Sequence, residues 1–361
     1  MSDKEHIVLI LPSLKVSGGT LELLRLADDL AVKDRAISIV SLWRSAHETS
    51  TARWSIRYLS EWRTNAKRAL LQLPILLRRF SRLVKSVSPI TGRSATGWIF
   101  SHYATFPLAL CVSRDRRWFF VQDLEWRFIR NPVLSGLLKW IILAAYSRGH
   151  LISANSYLTS QLALLGLNVE AETPIWADVG FQSSTNEARD IDVVMMLRKG
   201  DAKRLDLYLT FLALVDAEKR PWKLAVITPE SDIALEVKGR VAECLLRPSM
   251  EQMRKLYARS KCFLHLSDHE GFGLPPLEAM GSGCVPLCRD SGGIRAYMNG
   301  DLESLVEPQN LSMSQFVVRA SELVDDADRL ATMSGVAETV FARGLAQTQQ
   351  RLEALARLRF S

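Results

Sequence analysis

The feature that most limits what this chain can become is an alternation, kept up along nearly its whole length, of short apolar runs with stretches of helical spacing. His6–Leu11 reads HIVLIL, without the polar alternation of a strand that has one wet face, so it predicts a strand covered on both sides. The turn Ser17-Gly18-Gly19 follows, then Leu21–Leu30 at helical spacing, then a second run at Ala36–Leu42. Further runs stand at Gly97–Phe100, Trp118–Val121 and Leu151–Ser153. The pattern resumes at Asp192–Leu197, Lys223–Thr228, Glu243–Leu246, Cys262–Leu266 and Cys284–Cys288, with helical stretches between. Strands separated by helices predict βαβ units and parallel sheets. The expected class is α/β with two doubly wound, Rossmann-like domains, since 361 residues suit two domains at roughly 100–200 residues each. The polar stretch Gln182–Arg189 is the expected linker, giving domains 1–183 and 190–341, with a C-terminal helix of about 342–361 free to pack back on the first.

Composition supports two cores and excludes disorder: 48% of residues are apolar and 24% charged, close to average globular usage. The net charge of +7 is local. Between Trp43 and Arg93 stand eleven Lys/Arg against two acidic residues, leaving the remainder near neutrality. Such a block points to an anionic partner for that block alone. Five cysteines show no CxxC pair and read as small hydrophobes in a reduced, cytoplasmic protein. The N-terminus leads straight into a strand, so no signal peptide is expected. The longest apolar runs, near Val133–Tyr146 and Leu70–Leu77, fall short of the roughly 20 residues a membrane span needs.

The strongest chemical signal lies at Leu266-Ser-Asp-His-Glu270-Gly-Phe272-Gly273-Leu274-Pro-Pro-Leu-Glu278. A buried strand ends in a glycine-bearing loop, and a helix starts at about Leu274–Pro275, where proline is tolerated. Loop glycines admit close approach of a ligand, and helix-start N–H groups favour an anion or sugar hydroxyls. Glu270 before the loop and Glu278 one turn into the helix can face one crevice at a strand's C-terminal end, and a carboxylate accepts two hydrogen bonds from vicinal hydroxyls. The alternative for these residues is a capped helix with surface carboxylates.

This segment, continued through Glu-Ala-Met, Gly283 and Ser291-Gly292-Gly293, resembles the Glu-x7-Glu signature of glycosyltransferase family 4. That resemblance implies a retaining enzyme of the GT-B fold, two doubly wound Rossmann-like domains facing a cleft. It implies that Glu278 holds the donor ribose, that Glu270 contacts the transferred sugar, and that the amides of Phe272, Gly273 and Leu274 touch sugar and phosphate. Arg198 and Lys203, at the exit of the strand Asp192–Leu197, are similar to the family's Arg and Lys that neutralise the diphosphate. Leu197 replaces the family's usual glycine, and Lys199 or Arg204 could substitute for either cation. Gly18 and Gly19 resemble the N-terminal glycine loop on the donor diphosphate, and His102 the strand-end histidine near the anomeric centre. Phe119-Phe-Val-Gln122-Asp123-Leu-Glu125 is similar to a strand end of a rhamnosyltransferase-like branch, which would set Asp123 or Glu125 on the acceptor side. Arg295-Ala296 stands where the family has Pro-Glu.

The implied reaction is transfer from a nucleoside diphosphate sugar to the hydroxyl of a polysaccharide or lipid-linked glycan. No cofactor and no metal are expected, Arg198 with Lys203 standing in for a cation. The alternatives are a GT-B nucleotide-sugar epimerase and a catalytically silent binding subunit. The basic block carries apolar residues at helical spacing from Trp54 to Val87, a stripe expected to bend at Pro74. It either lies in an anionic membrane interface, peripheral on the inner face of the plasma membrane, or packs on the first domain's sheet. No nucleic-acid recognition motif is present, so no nucleic-acid partner is expected.

Overall fold

The structure, a computed structural model, describes residues 5–14, 18–31, 35–44, 56–60, 73–85, 95–182 and 188–360. The chain forms two compact units: Met1–Trp126, Pro132–Ile175 and Gln349–Ser361 make the first, Arg127–Asn131 and Trp176–Thr348 the second.

The first unit is built on seven parallel strands: β1 (His6–Leu11), β2 (Ala36–Ser41), β3 (Ile56–Tyr58), β4 (Gly97–Phe100), β5 (Arg117–Val121), β6 (His150–Ser153) and β7 (Ala171–Glu172). Their order is β3-β2-β1-β4-β5-β6-β7. Every residue of β1, β4 and β5 is buried, as the unbroken apolar runs required. The sheet is wound outward from the β1/β4 pair, registered at Ile7 with Gly97. Because parallel crossovers are right-handed almost without exception, winding in opposite directions from that pair puts the helices on opposite faces. On one face helix Leu73–Lys85 packs on Phe106–Ala109, which packs on Pro132–Tyr146. An aromatic cluster fills the space beneath: Phe80 meets Trp98 edge-on at 5.2 Å and Phe106 meets Phe119 at 4.9 Å.

The chain's last residues complete this unit. Phe360 is fully buried, 4.8 Å from the Trp118 ring. Gly97 has no room for a side chain because Phe360 carbons would lie 2.7 Å from its Cβ. Arg35 donates to the carbonyls of Leu355 and Leu358 at 3.0 and 2.8 Å. Arg351 pairs with Asp29 at 2.6 Å and with the buried Glu22 at 3.3 Å.

The expected stripe from Trp54 to Val87 is corrected. Ile56–Tyr58 is an edge strand, and the helix spans Leu73–Lys85 with Pro74 in its first turn. Proline sits there without bending anything, because the first N–H groups of a helix have no intrahelical acceptor. Leu76, Phe80 and Val84 are buried on the sheet side while Arg78, Arg79, Arg82 and Lys85 are exposed. Arg44 lies over the Tyr58 ring at 4.6 Å, while Arg53, Arg63, Lys67, Arg68 and Arg93 of the basic block lie outside the described residues.

The second unit has six parallel strands: β8 (Ile191–Met196), β9 (Leu224–Thr228), β10 (Glu243–Leu246), β11 (Ser260–His265), β12 (Val285–Arg289) and β13 (Val306–Glu307). Their order is β10-β9-β8-β11-β12-β13. Winding reverses between β8 and β11, paired at Val193 with Cys262. Among the described residues no helix is long and apolar enough to cross a membrane.

Candidate active site

Open parallel sheets bind ligands beyond the C-terminal ends of the strands where winding reverses. In the second unit that place lies past Met196 and His265, at the ends of β8 and β11. The loop after β8 runs through the exposed Arg198 into a 3-10 turn at Asp201–Lys203 and the helix Leu205–Ala217. The loop after β11 is tied to it by a hydrogen bond from the Asp268 amide to the Ala202 carbonyl, 2.8 Å. Lys203 and Glu270 are thereby brought together, Nζ donating to both carboxylate oxygens at 2.8 Å. The Phe128 ring lies 5.8 Å from the same ammonium.

Glu270 is held by its backbone as well. Its amide donates to the Ser291 carbonyl and its carbonyl accepts from Gly293, both at 3.0 Å. A Cβ on Gly293 would lie 2.4 Å from the Gly271 carbonyl carbon, which explains why Ser291-Gly292-Gly293 accompanies the Glu270 segment. Gly273 adopts φ +85 as the N-cap of helix Leu274–Gly281, a left-handed conformation favoured by glycine. Its carbonyl accepts from the Tyr297 hydroxyl. Phe272 is a packing residue, 5.2 Å from Tyr297, so its amide is the group left for a ligand. The amides of Phe272, Gly273 and Leu274 donate to no acceptor among the described residues. Prolines at 275 and 276 offer no N–H, so these three are the donors that the loop and first turn present. Glu278 is half-buried one turn further. After burial itself, its charge is the next cause holding the Tyr257 hydroxyl well above its ordinary pKa.

The charges sort themselves. Burial alone would raise the Glu270 carboxyl, but the Lys203 charge and hydrogen bonds from Lys203 and Ser267 outweigh it and lower the pKa. Burial lowers His265 to about 4, leaving it neutral 3.8 Å from Glu270. Lys199 pairs with Asp232 at 2.5 Å. Arg204 pairs with Asp206 at 2.8 Å and Asp268 at 3.1 Å. Both alternatives are therefore engaged with carboxylates, as Lys203 itself is with Glu270. Arg198 hydrogen-bonds to nothing among the described residues and is the cation left exposed at the β8 exit. Arg295 pairs with Asp290 and Glu303, each at 3.2 Å. No group of three His, Cys, Asp or Glu able to hold a metal occurs among the described residues.

In the first unit the corresponding place is the β1/β4 reversal. Gly18 and Gly19 open the helix Gly18–Ala31 after β1, Ser17 lying outside the described residues. A Cβ on Gly19 would come 3.0 Å from Gln122 Oε1, so the glycine start lies against the end of β5. His102 caps the turn after β4, its Nδ1 accepting from the Ala104 amide at 3.1 Å. That bond leaves the proton on Nε2. Although 38% of its side-chain surface is exposed, burial lowers His102 to about 4, so Nε2–H is a neutral donor at physiological pH. Glu125 Oε1 lies 3.9 Å from Nε2 and accepts from the Tyr103 amide at 3.2 Å. Its other oxygen is buried without a hydrogen-bond partner, and burial, aided by Asp123, raises the carboxyl to about 8. Asp123 accepts from the Leu124 amide at 2.9 Å.

Sequence reasoning passed over His265, Ser267 and Phe128. A histidine inside an apolar strand reads as packing, and the sequence gives no cue to which strand end it will adjoin.

Residues 180–338 match the family model "Glycosyl transferases group 1". A stretch of 52 residues is 52% identical to putative glycosyltransferase 41 of Sulfolobus islandicus filamentous virus (isolate Iceland/Hveragerdi), covering 14% of this chain and 16% of that one. Over 120 residues the chain is 31% identical to GDP-mannose:cellobiosyl-diphosphopolyprenol alpha-mannosyltransferase of Komagataeibacter xylinus, covering 30% of each. The matched stretches thus span well under half of these curated relatives. The whole chain superposes on HepE of Anabaena, solved in complex with UDP and glucose, with TM-score 0.71, 14% identity, and coverage of 98% of this chain and 100% of that one. The architecture is that of GT-B glycosyltransferases, and the second unit carries the match to the group 1 glycosyltransferase family.

Proposed function

We propose that the chain is a retaining glycosyltransferase that moves a sugar from a nucleoside diphosphate sugar to an acceptor hydroxyl. The observation that carries this reading is the run of three amides without acceptors, Phe272 to Leu274, next to the Lys203–Glu270 pair at the β8/β11 reversal. Backbone donors, a helix start and the exposed Arg198 suit a diphosphate. Glu270, kept charged by Lys203, accepts from the hydroxyls of the transferred sugar, and Glu278 accepts from the ribose. The neutral Nε2–H of His102 suits a further sugar hydroxyl, and Asp123 and Glu125 the acceptor side.

In the step itself the bond between the anomeric carbon and the β-phosphate oxygen breaks. The acceptor oxygen forms its bond on the same face, and the departing phosphate takes the acceptor proton. The chain contributes positioning and charge stabilisation of the leaving group, Arg198 and Lys203 serving where a metal cation otherwise would. The name of the Komagataeibacter relative makes guanosine-diphosphate-mannose the first donor to try. The segment Phe119–Glu125 makes thymidine-diphosphate-rhamnose the second. A polysaccharide or lipid-linked glycan is the acceptor class, met at the inner face of the plasma membrane through cationic residues of 43–93.

Calorimetric titration with guanosine, uridine and thymidine diphosphates tests the site. Glu278→Ala is expected to weaken the nucleotide that binds by about 1–3 kcal/mol with the fold retained. Unchanged affinity removes Glu278 from the site. Turnover is expected to persist in EDTA, and a strict Mg²⁺ or Mn²⁺ requirement overturns the cationic role of Arg198 and Lys203.

A further inference from the structure

Helix Pro132–Tyr146 buries only Ile142 and Tyr146 among its apolar residues. Val133, Leu134, Leu137, Trp140 and Ile141 are 76, 54, 54, 68 and 44% exposed. Their spacing gathers them on one stripe of the helix. Leu110, 74% exposed, follows directly on the short helix Phe106–Ala109 that packs against this one. An exposed apolar stripe of this kind marks an interaction site.

The neighbouring surface says what would cover it. The same short helix packs on Leu73–Lys85, whose outward side carries Arg78, Arg79, Arg82 and Lys85. None of the four has an acidic partner among the described residues. Between that helix and β3 lies an open cavity of about 290 Å³ lined by Arg57, Arg79 and Arg82 with Tyr58, Leu59 and Leu83. Arg79 donates from Nη1 to the Leu59 carbonyl at 2.6 Å, which fixes its guanidinium beside those of Arg57 and Arg82, whose forked geometry matches phosphate. An apolar stripe containing a tryptophan, beside a row of cations, fits the acyl boundary and headgroups of an anionic bilayer. A second copy of the chain would instead bring a second cationic helix to the contact.

We propose that the exposed face of Pro132–Tyr146 inserts into the surface of an anionic membrane while the arginines of Leu73–Lys85 hold lipid phosphates. This deepens the peripheral-membrane part of the reading above and does not depend on the transfer reaction. It differs from purely electrostatic adsorption, because part of the binding should survive high salt.

The test uses the full-length protein with vesicles of phosphatidylcholine, with and without phosphatidylglycerol, at low and high salt. Wild type is expected to sediment with the anionic vesicles, and Leu137→Asp with Trp140→Asp to weaken partition at least about ten-fold. Arg78→Glu, Arg79→Glu and Arg82→Glu together are expected to abolish the preference for phosphatidylglycerol. Brominated lipid should quench wild-type fluorescence more than that of Trp140→Phe, which reports insertion in a protein that keeps its aromatic side chain. Nucleoside diphosphate binding, measured on every variant, should stay at the wild-type level. Absence of nucleotide binding in wild type itself would count against the enzyme reading and leave the membrane proposal standing. Equal quenching of wild type and Trp140→Phe overturns the proposal. So does undiminished sedimentation of the double aspartate variant, or light scattering that shows a dimer which the aspartates split.

Discussion

Arg198 is the residue on which the candidate site turns, because its neighbours are otherwise engaged. Lys199 is drawn to Asp232, and Arg204 to Asp206 and Asp268. If Arg198 meets the diphosphate, Arg198→Ala should lower kcat/KM by about 10–150-fold, the equivalent of a charge-assisted bond of about 1.5–3 kcal/mol. Lys199→Ala should stay within about two-fold, since an exposed pair contributes little. Equal losses in steady-state kinetics would show that the loop binds phosphate by diffuse charge. Glu125 gives a pH signature. Its carboxyl is raised to about 8, so its contribution to stability is full below an unfolded value near 4.5 and is lost as pH rises through 8. His102, lowered to about 4, contributes stability that is full above its unfolded value near 6.5 and is lost as pH falls. From pH 6.5 to 8 only Glu125 of this pair changes stability. Thermal or urea unfolding over that window should show wild type losing about 2 kcal/mol relative to Glu125→Gln. Parallel curves for the two proteins would mean that Glu125 ionises normally.

At the scale of elements, the strands were legible because parallel strands buried on both faces have unbroken apolar runs, as in HIVLIL at β1. The loop after β11 was legible because its glycines have structural causes, positive φ at Gly273 and contact with Gly271 at Gly293. What failed was the stretch from Trp54 to Val87. Apolar residues there fall at helical spacing by coincidence across a three-residue edge strand, too short to show its own period. Helix Pro132–Tyr146 shows a different limit: its apolar run is too short to span a membrane, but whether such a run is buried or exposed is a property of its neighbours and not of the run. The C-terminal end shows the converse: the last turns of helix Ala327–Arg357 and the few residues after it matter through what they touch. Phe360→Ala should destabilise the first unit by about 3–5 kcal/mol, the usual cost of emptying a buried aromatic site. Chemical denaturation that shifts by less than 1 kcal/mol would mean that the Trp118 and Gly97 region closes over the gap.

Across the whole molecule, each unit has its own sheet, its own reversal of winding and its own aromatic cluster. Such units have the material for separate cooperative unfolding. Differential scanning calorimetry should therefore resolve two transitions, and two perturbations should assign them. Phe360→Ala should lower one, because its contacts lie in the first unit. A bound nucleoside diphosphate should raise the other, because the three amides and Arg198 lie in the second. At a hundred times Kd the stabilisation is about 2.7 kcal/mol, large enough to move a transition by a few degrees in a unit of this size. If both perturbations move one shared transition, the units unfold as one body, and the effect of Phe360 must then reach the nucleotide site's stability as well. If the nucleotide moves the transition that Phe360→Ala lowers, its main site is in the first unit, and the assignment of Phe272 to Leu274 fails.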